Sequence, residues 1–490
     1  MKKFLFYFSF IAVLFIITGC AGSKGSGNSI TGPDFFNNKI DGEITVSVYD
    51  SMLYKNFLEE AARLFEEIYP GAKVNIETFS AMPEIKTMEV DGMFVSVVEN
   101  NSSPQEKTDY INRVNTRIMS GEGADIYAMD ILPLNKLINS GSLENLDHYM
   151  TLDPGFNKID YSQNIIEALR YKGGIWFMPL NYWFNYYKYD SALIPSHNAG
   201  SFGADKALSA QELVNFGVPL FDGSSKLFNL TGGRGGMFPQ LFNEKYRSFV
   251  NLETGRANFI DGGFASLLES VNHYSDMGYI VKNEISRADI EELMQRMSDT
   301  PSERVFFKLD NSYMLINMFI RDIAQWMNTG YSGGLLKVIE DDDKIAGIQA
   351  NADGTVPFSY NLGFGINSSS KNRETAWAFI KFLLSKEMQT SMYVYNLPVN
   401  IEARNEKIEF DFRMFLGIND EELNGRQLQA MENYIAALES LCGQINTYVI
   451  HDASINDMIT QEVQNFFDGV RNAQETTRIL QSKADLYLSE

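Results

Sequence analysis

The sequence predicts a mixed α/β chain arranged as two lobes. Three observations carry this. The folded part opens with strand, helix and strand in succession, a βαβ unit that implies parallel pairing with a right-handed crossover. Strand-like and helix-like segments follow one another from there to the last residues. The chain also has 490 residues, more than one hydrophobic core ordinarily covers, so it should divide.

Before the first strand lies a leader. Lys2 and Lys3 form a short positive region, and Phe4 to Ile17 is an apolar run. That run is shorter than the roughly 20 residues of a membrane span and has the length of a signal-peptide core. Thr18 and Gly19 then precede Cys20. The pattern resembles a bacterial lipoprotein signal, which implies that residues 1–19 are removed and that Cys20 is diacylated. Two acyl chains hold a protein at a bilayer where one does so only marginally. Residues 20–42, rich in Gly, Ser and Asn, read as a lipidated tether.

"EITVSVYD" (43–50) alternates and is β-branched, so it reads as a strand. In the segment after it, Phe57, Ala61, Leu64, Phe65 and Ile68 recur at helical spacing on one face. Pro70 and Gly71 stop that helix. "AKVNIETF" returns as the second strand. Residues 80–108 read as an irregular, polar insertion. A helix over 109–120 follows, then a short strand opened by Gly123 and closed by Asp130, then a helix in "LNKLINSG". "GGIWFMPLNYWFNYYKYD" (173–190) is an aromatic strand region. The acidic run at 340–344 reads as a solvated loop, and "NADG" (351–354) as a turn. In 374–393, Ala376, Phe379, Ile380, Leu383 and Leu384 share one helical face, and Asn472 with Glu475 has capping-box spacing before a final helix.

Composition narrows the function. The net charge of −22 opposes nucleic acid as a partner, because phosphates would be repelled. Past Cys20 the single remaining cysteine is Cys442, so the exported part has no internal disulfide framework, and Cys442 reads as a small buried hydrophobe. His148, His197, His273 and His451 are far apart and in no zinc-binding pattern. There is no G-x-S-x-G nucleophile elbow and no P-loop. No cofactor and no metal is expected.

Several phrases together resemble the extracellular solute-binding proteins of ABC importers, the sugar-binding group that includes maltose-binding protein. They are "FLEEAARLFEEIYPGAKVNI", "GEGADIYAMD…LINSGSLENLDHYM", "GGIWFMPLNYWFNYYKYD", "SYNLGFGINSSSKNRETAWAFIKFLLSKEMQ", "LPVN" and the closing "FFDGVRNAQETTRILQSKADLYLSE", in the family's order. Ala124 stands where Pro is usual, and Lys188 where Asn is common. The resemblance implies a two-lobed periplasmic-binding-protein-like fold of type II, with the ligand between lobes joined by crossing strands. Carried onto this chain, the first lobe is 43–181 plus 362–410 and the second is 185–358 plus 411–490. It also implies a non-catalytic receptor, outside the cytoplasm at the cell membrane, that closes on a carbohydrate and delivers it to a permease.

Sugar recognition needs carboxylates and amides for hydroxyls, and rings for the C–H faces. The residues that fit are Tyr49, Asp50 and Ser51 after the first strand, Asp130, Asn181 and Trp183 in the aromatic segment, Asn311 and Tyr313 after "VFFKLD", and Tyr360 and Asn361 on the return crossover. Asp50 and Asp130 also read as helix caps, and Trp183 and Trp326 as core residues. Arg234 in "TGGRGG" would favour an anionic solute if it faced the cleft. A non-sugar solute, a sensory role and a surface glycan-degrading enzyme remain as alternatives, since the separation of a carboxylate pair is set only in three dimensions.

Overall fold

The protein is described by a computed structural model covering residues 40–49, 54–79, 84–90, 93–99, 104–228, 233–280, 304–316, 318–319, 342–416 and 423–489, with the backbone alone for 84–90 and 93–99. Cys20, Asp50, Ser51 and Trp326 lie outside the described residues.

The opening unit forms as the pattern requires. Strand β1 (Asp41–Tyr49) leads through helix α1 (Tyr54–Ile68) to β2 (Gly71–Phe79), and β1 and β2 pair in parallel over their whole length. The buried face of α1 is Tyr54, Phe57, Leu58, Ala61, Ala62 and Phe65. Ile68, expected on that face, is 54% exposed at the helix end, because the chain turns away at Pro70. The 80–108 segment is more regular than its composition suggests. An antiparallel hairpin, β3 (Glu84–Val90) and β4 (Met93–Glu99), fills most of it, and α2 (Pro104–Ser120) starts earlier than the apolar spacing implied.

Strand β5 (Ile126–Ala128) pairs in parallel with β1. Helix α3 (Leu134–Asn139) follows and stops at Gly141, whose φ of 68° is left-handed and suits glycine. Helices α4 (Leu146–Leu152) and α5 (Gln163–Ala168) complete this part. The aromatic segment is cut into β6 (Met178–Pro179), β7 (Asn181–Tyr182) and β8 (Asn185–Asp190). Strand β6 ends the first sheet, while β8 is the central strand of the second.

The second part contains β9 (Ala207–Leu208), α6 (Ala210–Gly217), β10 (Lys226–Phe228), α7 (Arg234–Glu244), α8 (Tyr246–Phe249), β11 (Val250–Asn251), β12 (Arg256–Ala257), α9 (Phe264–Asp276), β13 (Val305–Asn311) and β14 (Asp343–Gln349). The chain then returns through β15 (Pro357–Phe358) to β16 (Gly363–Ile366), which enters the first sheet between β5 and β6. The rest is mainly helical, with two short strands: α10 (Arg373–Leu383), α11 (Lys386–Gln389), β17 (Leu397–Pro398), α12 (Ile401–Leu416), α13 (Gly425–Cys442), β18 (Thr447–Tyr448), α14 (Ala453–Phe467) and α15 (Ala473–Ser489). The five predicted apolar positions of 374–393 are buried, but Ser385 caps a new helix and divides the segment in two. The Asn472–Glu475 box caps α15 as expected, with Glu475 N donating to Asn472 Oδ1 at 2.9 Å.

Two five-stranded sheets result, ordered β2-β1-β5-β16-β6 and β10-β13-β8-β14-β9. In the first, Ile44, Val46, Val48, Ile126 and Ile366 are buried, as are Phe57 and Phe65 of α1 and Phe379 of α10. Phe65 and Phe379 meet edge to face at 5.2 Å. In the second, Tyr187, Phe307 and Ala346 join the buried faces of α6, α7, α9, α14 and α15 in one core. Each fully buried aromatic or Leu of these sets stabilises the fold by about 1.5–3 kcal/mol.

The opposite face of the second sheet is charged. Lys188 Nζ lies 2.8 Å from Asp310 Oδ2 and 3.6 Å from Asp343 Oδ2, and Lys308 lies 3.1 Å from Asp343 Oδ1. Asp343 belongs to the acidic run read as a solvated loop, yet its side chain is buried at the start of β14. Lys188 on the adjacent β8 and Lys308 on β13 beyond it supply the opposite charges that allow a carboxylate to be buried.

Candidate functional site

The two sheets are joined where the chain crosses between them, and Asp130, Asn181, Trp183, Tyr360 and Asn361 gather there, while Tyr49 does not. Trp183 forms an antiparallel bridge with Ser359, with N–O distances of 2.9 and 2.8 Å. Strand β17 pairs with β7, and β18 runs parallel to β15. The crossing region is therefore a small ribbon of its own, β17-β7, residues 183 and 359, then β15-β18. It is built by four separated parts of the chain.

Asp130 sits just beyond β5, at the edge of this ribbon. Its Oδ1 accepts from Gly363 N at 3.2 Å. The side chain is open to water while protein surrounds it on the remaining sides. Loss of hydration raises its pKa above the usual carboxylate range, opposed by the Gly363 hydrogen bond. Contact with water limits how far that shift goes.

Tyr360 lies against Asp130. Its hydroxyl donates to Met129 O at 3.2 Å, and burial pushes its pKa well up. Its ring is 4.8 Å from Phe177 and 5.5 Å from Tyr448. Burial raises the Tyr448 phenol to about 12. Gly363 makes this approach feasible. A Cβ there would fall 2.7 Å from the Tyr360 ring and 2.8 Å from Phe177. The outcome is one carboxylate beside two phenols and a buried ring: hydroxyl acceptors, hydroxyl donors and an aromatic wall together.

The other sequence candidates take distinct places. Trp183 is half-buried, and alternation along the strand puts it opposite Tyr182 and Phe184, which are core. Asn361 donates its backbone N–H to Asn181 Oδ1 at 3.0 Å, and Asn181 Nδ2 donates to Tyr395 O at 2.7 Å. Asn181 is 1% exposed, so its amide holds the crossover strands together. Tyr49 is also buried; its ring packs 5.6 Å from Tyr110 and 6.3 Å from Phe79, within the first sheet's core. Asn311 pairs with Asn185 at the end of β13, and its Oδ1 accepts from Tyr313 N at 3.1 Å. Ser312 N donates to Phe184 O at 2.8 Å, which ties this corner to the crossover, and Tyr313 stands 48% exposed beside it.

Arg234 opens α7, donates to Asn272 Oδ1 at 3.1 Å and lies over the Phe467 ring at 5.0 Å. Both of these contacts are within the second part of the chain. A groove of about 380 Å³ borders Tyr448. Arg170 and Tyr171 line one wall, and Tyr246, Arg247 and Glu253 the other.

Sequence reasoning missed Tyr448 and Phe177. Tyr448 sits in no motif; the one local signal was the short β-branched run "INTYVI", a third crossing strand. Phe177 is visible only as a core aromatic. Among the described residues no group of three or more His, Cys, Asp or Glu could hold a metal ion, and no helix is long and apolar enough to cross a membrane.

Residues 311–390 match the profile of a family described as bacterial extracellular solute-binding protein. No curated protein matches the chain by sequence. Among solved structures, the chain is similar to an extracellular solute-binding protein family 1 from Alicyclobacillus acidocaldarius, at 15% identity and a TM-score of 0.54, over 93% of this chain and 100% of that one. It is also similar to the sugar-binding protein MalE from Xanthomonas citri, at 11% identity and TM-score 0.54, over 91% and 98%. A third is an ABC transporter solute-binding protein from Thermotoga lettingae bound with α-D-tagatose, at 14% identity and TM-score 0.50, over 91% and 99%. The fold is thus the two-lobed α/β architecture of the solute-binding proteins, and the resemblance read from the sequence holds in both the profile match and the fold.

Proposed function

We propose that the protein is an extracytoplasmic receptor, tethered to the membrane through Cys20, that closes its lobes on a carbohydrate and passes it to an ABC permease. The observation that carries this is the grouping of Asp130, Tyr360 and Tyr448, with Trp183 one strand away, at the ribbon joining the two sheets. Open α/β sheets bind ligands beyond the carboxyl ends of their strands, and Asp130 stands at such an end. A neutral, hydroxyl-rich molecule suits a carboxylate, phenols and rings. An anionic solute would meet Asp130 unfavourably, and Arg234 is engaged with Asn272 and Phe467. Proteins of the same fold include one bound with tagatose, which supports a sugar as the class of ligand.

In this reading Asp130, Trp183, Tyr360, Asn361 and Tyr448 contact the sugar from the crossing ribbon, Tyr313 and Asn311 from the second lobe, and Asp50 and Ser51 from the end of the first strand. Tyr49 and Asn181 position them. The lobes divide near residues 181–185 and 358–362, and we place the third crossing at β18 rather than at the expected 410–411, which falls inside α12. Closure is a shift toward the form that holds the sugar more tightly. No catalysis is required.

A thermal-shift screen against mono- and oligosaccharides tests the reading, because a ligand bound only to the folded state raises apparent stability by mass action. A carbohydrate that raises the unfolding temperature in proportion to the logarithm of its concentration is expected. A response confined to anions or peptides would refute it. For the tether, Cys20→Ser should release the protein from the membrane fraction; unchanged retention would remove the lipid anchor.

A further inference from the structure

Two helices from opposite halves of the molecule meet close to the candidate site. Helix α3 begins four residues after Asp130, and its Lys136 extends toward α15, the last helix. Helix α15 belongs to the second sheet's core through Leu480 and Ala484. The Lys136 ammonium lies 3.8 Å from the centroid of the Tyr487 ring, well inside cation–π range. Tyr487 in turn donates its hydroxyl to Asp452 Oδ2 at 3.0 Å.

Asp452 is a fixed point. It is 1% exposed and caps α14, its Oδ1 accepting from Ile455 N at 3.1 Å. Its backbone N–H donates to Tyr246 Oη at 3.1 Å. It follows Tyr448 by four residues, as α3 follows Asp130. Both ends of the contact therefore hang from residues of the site itself. The ring is held by a buried carboxylate on one lobe, and the cation is presented by the other.

We propose that Lys136, Tyr487 and Asp452 form a latch between the lobes that holds the molecule toward its closed arrangement. The inference rests on the receptor reading above, and names the device that sets its closure. In this proposal the contact forms as the lobes approach and is lost as they part. Apparent affinity for a solute scales with the fraction of binding-competent molecules, so the latch makes affinity adjustable by residues that touch no solute.

The test reads the distance between lobes without any solute. Spin labels at Thr151→Cys and Ser266→Cys, on exposed positions of α4 and α9 in a Cys20→Ser background, report it by pulsed electron resonance; Cys442 is buried. Lys136→Met should raise the ratio of wide to narrow distances roughly three- to tenfold, the worth of a partly desolvated cation–π contact. Tyr487→Leu should do the same, the double variant should add nothing further, and Lys136→Arg should restore the original distribution. Tyr487→Phe, which keeps the ring and frees Asp452, separates the anchoring role of the hydroxyl and should give a smaller shift in the same direction. Unchanged distributions in Lys136→Met and Tyr487→Leu, or additive shifts in the double variant, would overturn the latch. Failure of every sugar to bind would instead count against the receptor reading and leave these distances as they are.

Discussion

Replacing Asp130 with Asn should make the protein more stable at neutral pH while weakening its hold on solute. The amide keeps an acceptor for Gly363 N, 3.2 Å away, and removes a charge that the surrounding protein disfavours. Enclosure by protein would by itself place the carboxyl at about 8, against 3.8 for the free group. A native pKa above the unfolded one means that the native state binds more protons between those values, so stability falls as pH rises through that window. Asp130 touches water, which screens most of this, and about 1 kcal/mol is the expected gain for Asn. At pH 4 the native carboxyl is largely protonated, and the gain should shrink to a few tenths of a kcal/mol. Urea unfolding of both proteins at pH 7 and pH 4 measures the two differences. A charge-assisted hydrogen bond to a sugar hydroxyl is worth about 1.5–3 kcal/mol, so affinity for the sugar found in the thermal screen should drop at least tenfold. An Asn variant that is less stable at pH 7, or equally stabilised at both pH values, would show that Asp130 is not a charge held against its surroundings.

Three further variants probe the site and the scaffold. Trp183→Ala should weaken sugar binding roughly tenfold by removing a stacking face worth about 1–2 kcal/mol, with both sheets intact by circular dichroism; unchanged affinity in calorimetry would take Trp183 out of the site. Gly363→Ala should cost about 1–3 kcal/mol of stability and also lose affinity, because the new Cβ falls within 3 Å of the Tyr360 and Phe177 rings; a neutral result in unfolding would mean that the rings have room. Lys188→Met should destabilise the protein by about 3 kcal/mol in urea, since it strands Asp310 and leaves Asp343 with Lys308 alone; a neutral or stabilising result would mean that the apolar stem outweighs the lost charge pair.

The architecture was largely legible because its signals are local. Alternation in β1, helical spacing in α1 and the stop at Pro70 each depend on a few neighbouring residues, and the parallel pairing follows from their order. Where the reading went astray, a distant part of the chain decides. Asp343 lies in a run that looks solvated, and the lysines that let it be buried come from β8 and β13. Residues 80–108 look irregular by composition, yet the chain folds back on itself there as a hairpin. The site divides in the same way. Asp130, Trp183 and Tyr360 stand at strand ends, which sequence can mark. Asn181 has the right chemistry, but Tyr395 O and Asn361 N occupy its amide. Tyr448 reaches the site through a two-residue strand paired with β15, a contact with no trace in spacing.

Binding stoichiometry with recovery of the bound molecule tests the central claim most directly. Equilibrium dialysis against an oligosaccharide panel, followed by mass analysis of what the protein releases on denaturation, should give one sugar per chain with its length unchanged. Shortened products, or no saturable uptake of any sugar across the panel, would contradict a receptor that clasps its cargo without altering it.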